Sequence, residues 1–184
     1  MTVEILGQFQ LATDAFAKLA AGVRPDQLAL KTPCPEWSVR DLIDHVVKGN
    51  LMFTRVITGA EPPAVDVGAD PDAAVLASSK ALYEAASAEG VLTQIFKTPM
   101  GERPGGRLIA IRINELSLHG WDLAQATGQG FELPDPVIAT CFQVLQAILP
   151  EDRTSTPYDA EQPAGPDASP TQRLIAFAGR SVTA

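Results

Sequence analysis

The chain has 184 residues, 46% of them hydrophobic, with 14 basic and 22 acidic side chains and a formal net charge of −8. Such a length buries a sizeable core as one domain over 1–184 without disulfides. The acidic balance argues against nucleic acid and anionic lipid, which bind proteins through Lys and Arg. Two cysteines, Cys34 and Cys141, without a Cys-x-x-Cys spacing, exclude a disulfide framework and a thiol-rich zinc site.

Residues 3–21 carry Ile5, Phe9, Ala12, Phe16 and Leu19 at helical spacing, and Gly22 with Pro25 ends the run. This segment lacks the basic stretch and apolar core of a signal peptide, with Glu4 and Asp14 interrupting it. No stretch reaches the roughly 18 apolar residues of a membrane span. A soluble, cytoplasmic protein that engages no membrane is expected.

In KTPCPEWSVRDLIDHVVKGN two prolines enforce an extended approach, and Ser38 with Asp41 has capping-box spacing, so a second helix starts at Ser38 and closes at Gly59. Trp37 and Leu42 are placed as a hydrophobic staple. After a Pro, Gly and Asp-rich connection, DAAVLASSKALYEAASAEG reads as a third helix. The segment VLTQIFKTPMGERPGG suits a short strand or hairpin. A fourth helix is predicted over 108–127 with Gly128 as its C-cap, and a fifth over 136–149 opened by Pro136. The Pro-rich stretch 150–170 is irregular, a surface-hugging arm, a lid or disorder, and 171–179 forms a short C-terminal helix. Four main amphipathic helices with accessory ones predict an all-α bundle, the kind of fold that builds cofactor sites from facing helices.

Histidine is scarce: His45 and His119 are the two in the chain. Glu115 and His119, four apart on the fourth helix, lie beside the stripe of Ile109, Ile113, Leu116 and Leu123, where an isolated carboxylate is costly. His45 falls within the buried arc of its own helix, among Leu42, Val46 and Met52. His45, Glu115 and His119 therefore make a candidate three-ligand metal site with a position left for water or substrate. Asp41, one turn before His45, and Asp122, three residues after His119, are spaced to accept from the imidazole N–H groups. A plain Glu115–His119 ion pair in a metal-free bundle accounts for the same spacing. Trp37 and Trp121 read as core or staple residues, Cys34 as a small packing residue and Cys141 as structural. Arg112 has two readings, a clamp for an anionic substrate or a member of the solvated face, and the second is preferred.

The blocks TPCPEWSVRDLIDHVVKGN and NELSLHGWDLAQATG, with the closing RLIAFAGR, resemble the actinobacterial metal-binding proteins of the DinB-like, mycothiol-dependent maleylpyruvate isomerase N-terminal superfamily, in matching order over nearly the whole chain. The resemblance implies an up-and-down four-helix bundle that holds a divalent metal, commonly zinc or nickel, on residues matching His45, Glu115 and His119. It also implies mycothiol as the thiol cofactor. The isomerase carries a further C-terminal domain for which these 184 residues leave no room, so maleylpyruvate isomerisation itself is not expected. The expected function is a metal- and thiol-dependent S-transferase acting on a small electrophile; the alternative is a non-catalytic metal- or ligand-binding module. Expected partners are a small-molecule thiol and an electrophile, with homodimer formation an open alternative.

Overall fold

Helix starts follow the caps. In the computed structural model, which describes residues 2–68, 70–98, 101–154 and 156–182, α1 runs Thr2–Ala21 and α2 Val39–Thr58. The Ser38 hydroxyl accepts from the Asp41 N–H at 3.3 Å while Asp41 Oδ2 accepts from the Ser38 N–H at 2.9 Å, the predicted capping box. Gly59 ends α2 at φ 70° and donates to Arg55, the left-handed cap that glycine takes without a Cβ penalty. Helix α3 runs Pro71–Ala86, stopping earlier than its alanine-rich sequence suggests, with Ser87 at its C-cap donating its N–H to Tyr83 O and Glu84 O.

A hairpin follows: β1, Ile95–Thr98, pairs antiparallel with β2, Gly101–Pro104. Helix α4, Gly105–Thr127, begins three residues before its predicted start. Gly105 and Gly106 are not breakers here, because they let α4 press against the preceding loop. A Cβ at Gly105 would stand 2.2 Å from Val91 O. The two glycine N–H groups donate to Gln94 O and Leu92 O, which fastens the helix end to that loop. Helices α5, Asp135–Ile148, and α6, Pro170–Phe177, complete the elements.

The protein is all-α with a DinB-like helical arrangement. Around the bundle the packing order is α1, α3, α2, α4, so α1 and α2 face each other across a diagonal. Their connection can span that distance because residues 22–38 are long, and it is pinned midway: the Gln27 side chain donates to Thr127 O at the end of α4. The core joins Phe9 and Phe16 of α1 with Leu42 and Ile43 of α2, Leu82 of α3 and Ile109, Ile113 and Leu116 of α4. Helix α5 packs on α4 and α1, and α6 packs on α5, both adding buried side chains to the core. No helix among the described residues is long and apolar enough to cross a membrane. The irregular stretch 150–169 lies against the body: the Arg153 guanidinium donates to Phe177 O at 2.6 Å and stacks over the Phe177 ring.

Candidate metal centre

His45 lies in the second turn of α2, and Glu115 and His119 lie in the middle of α4; α2 packs on α4, so the three meet. One oxygen is the focus. Glu115 Oε2 stands 3.2 Å from His45 Nε2 and 3.4 Å from His119 Nε2. The imidazole centroids are 5.1 Å apart and nearly perpendicular. Trp37 is not just a staple: its ring lies 4.5 Å from that of His45 and 5.6 Å from that of His119, covering both.

The other nitrogen of His119 faces a second set of groups. His119 Nδ1 is 3.1 Å from Asp122 Oδ2, placing Asp122 where the spacing predicted an acceptor for this imidazole. Asp122 is fully buried, and Arg180 clamps it with Nε on Oδ1 at 2.8 Å and Nη2 on Oδ2 at 2.9 Å. Asp41, expected to play the same part for His45, has its carboxylate on the Ser38 N–H and hydroxyl instead. Helix geometry explains the difference, since the first turn of α2 has free N–H groups that compete for any acid there.

Cys34 and Arg112 also differ from the roles their sequence context suggests. Cys34 is not a mere packing residue: its thiol donates to Asp122 Oδ2 at 3.1 Å and lies 3.7 Å from His119 Nδ1. A turn presents it, closed by the Trp37 N–H on Cys34 O, with Glu36 at φ 69° in the left-handed region. Arg112 is not on a solvated face. It is 2% exposed, donates to Asn50 Oδ1 at 3.1 Å and Val46 O at 3.0 Å, and stacks over Phe53. Gly49 makes the room, because a Cβ there would meet the guanidinium at 2.5 Å. Arg180, on which the sequence reading placed no role, completes the set; its position after α6 carries no local signal for a contact with α4.

The charges are tuned by these contacts. Burial pushes the Glu115 pKa up, but hydrogen bonds from His119 and His45 and the nearby Arg112 charge outweigh it and hold it well below the ordinary value. Burial likewise opposes a charged His119, yet its bonds to Asp122, Cys34 and Glu115 push its pKa well up. Asp122, raised by burial, is brought down to about 2 by His119 and Arg180. Glu115 is thus held as the anion.

Among the described residues two donor sets could receive a cation, each with its ligand atoms within 4.8 Å of one another: His45–Glu115–His119 and Cys34–His119–Asp122. Ligands about 2.1 Å from a tetrahedral ion stand about 3.4 Å apart, which the Glu115–imidazole distances match. In the second set a cation would sit beside the Arg180 guanidinium already bonded to Asp122, so the first set fits a divalent ion better. Cavities of about 590 and 380 Å³ open onto the first set, both bordered by Trp37, His45 and Glu115. Room for a further ligand is present.

The same geometry separates the two thiols. Burial pushes the Cys141 thiol up to about 12, whereas Cys34 is half-buried and borders the 380 Å³ cavity. Iodoacetamide on the native protein is expected to alkylate Cys34 and spare Cys141 until unfolding, as read by peptide mass. Equal labelling of both in the folded state would contradict this placement.

Two relatives from Mycobacterium tuberculosis, "Uncharacterized protein Rv0738" of strain ATCC 25618 / H37Rv and "Uncharacterized protein MT0763" of strain CDC 1551 / Oshkosh, are each 40% identical over 179 residues, covering 94% of this chain and 96% of the relative. No solved structure matches. Residues 9–124, which contain His45, Glu115, His119 and Asp122, match the family described as mycothiol maleylpyruvate isomerase N-terminal domain, and the chain belongs to that family.

Proposed function

We propose that the chain is a metal-dependent thiol transferase in which His45, Glu115 and His119 hold one divalent ion, zinc or nickel, and a small thiol, mycothiol, is presented there to a small electrophile. The observation that carries this reading is the approach of two imidazole Nε2 atoms to one Glu115 oxygen. The family description, which names mycothiol, supports the choice of thiol. A divalent ion bound there supplies positive charge that lowers a thiol's pKa and makes it nucleophilic near neutral pH. The chain's own residues do the rest. Asp122, fixed by Arg180, accepts the His119 Nδ1–H, so that Nε2 is the nitrogen that would ligate, giving up the proton it shares with Glu115 when an ion binds. Trp37 shields both imidazoles from water on one side.

Metal-free protein titrated with zinc is expected to take up one ion per chain, and Glu115→Gln to bind it weaker by about 100-fold or more. With the ion in place, mycothiol is expected to raise the melting temperature, since a ligand that prefers the folded state stabilises it. Equal zinc affinity in wild type and Glu115→Gln refutes the ligand set. Stabilisation by the thiol without turnover of any electrophile assigns the non-catalytic binding module instead.

A further inference from the structure

Glu115 also borders a separate cavity of about 690 Å³ that touches neither histidine nor Trp37. Its size is that of a small-molecule site. One wall is a single face of α4, where Arg107, Ile111, Asn114 and Glu115 recur at i, i+4, i+7 and i+8. Val144 and Ile148 of α5 form an apolar wall opposite, and Tyr158 from the irregular arm closes the Glu115 end. Ile148 is 46% exposed at this surface, an apolar area that a ligand would cover.

The polar groups of the cavity are unevenly distributed. Arg103 and Arg107 sit together at one end, close enough that the Arg103 charge, added to burial, pushes the Arg107 pKa down. Their guanidinium groups donate to backbone carbonyls, Glu102 O and Val144 O, and among the described residues neither has a carboxylate within salt-bridge distance. In a chain of net charge −8, two adjacent cations without an acid are a site for an anion. At the other end Asn114, 1% exposed, has its side-chain amide beside the Tyr158 hydroxyl, its hydrogen-bond partner.

We propose that this cavity is the subsite for the second substrate and that it takes a monocarboxylate with an extended apolar body. The carboxylate lies between Arg103 and Arg107, the body along Ile111, Val144 and Ile148, and the far end at Glu115. Eight residues of α4 separate Arg107 from Glu115, which makes the accommodated ligand about 12 Å long. The assignment of the far end as the one that meets the thiol rests on the transferase reading; the binding of the carboxylate does not.

Calorimetric titration with decanoate and with decanol, an uncharged chain of the same length, tests this on the full chain. Wild type is expected to bind decanoate at least about tenfold more tightly than decanol. The double substitution Arg103→Gln with Arg107→Gln is expected to remove that preference, and Ala147→Trp, which intrudes on the cavity, to weaken both ligands. His119→Ala is expected to keep decanoate binding, so a failure of the metal assignment leaves this result standing. Equal affinity for acid and alcohol, no saturable binding of either, or unchanged decanoate affinity in the double variant would overturn the proposal, whatever the protein's zinc content.

Discussion

Asp122→Ala is expected to destabilise the protein by about 3 kcal/mol, the low end for removing one partner of a buried ion pair, because Arg180 keeps some access to water. For a chain of this size that corresponds to a fall in melting temperature of roughly 6–12 °C. Arg180 follows α6 directly, so the loss frees the tether between the C-terminal segment and α4. His119 loses the acceptor that holds its ring, and zinc affinity is expected to drop by about 10–100-fold. Thermal denaturation and zinc competition on the same preparation read both effects. A variant with wild-type stability would mean that the clamp contributes nothing to the fold.

Arg112→Ala is expected to cost still more, about 3–5 kcal/mol. The guanidinium fills space left by Gly49 and donates to Asn50 Oδ1, and Asn50 in turn donates to Ser78 and Ser79. One side chain therefore links α4, α2 and α3 through groups with no access to water. Its removal leaves a cavity and a buried amide oxygen without a donor. A chemical denaturation midpoint equal to wild type would contradict this role.

The helical pattern was legible because caps and apolar periodicity are local. Ser38, Asp41, Gly59 and Gly128 act within a turn of their own positions, and the structure places them as spacing suggests. The start of α4 was not, since Gly105 and Gly106 are there for a close approach to residues 91–94 that only the folded chain reveals. Arg112 lies between the core positions Leu108 and Leu116 on the helical wheel, so its burial was readable, but the usual exposure of arginine argued the other way. Cys34 and Arg180 reach Asp122 from sequence separations of 88 and 58 residues, and no local pattern carries such contacts. His45, Glu115 and His119 stood out because apolar surroundings made their polarity costly. The place of Trp37 before the cap is local, whereas its packing over the imidazoles depends on the turn at 34–37.

The claim that most depends on measurement is the identity of the ligand atoms. An anomalous difference map from crystals of the untagged protein grown with zinc tests it directly. The predicted result is one peak per chain, about 2.0–2.2 Å from His45 Nε2, His119 Nε2 and Glu115 Oε2. A peak instead on Cys34 Sγ, His119 Nδ1 and Asp122, or no peak in this region at full zinc occupancy of the solution, would contradict it.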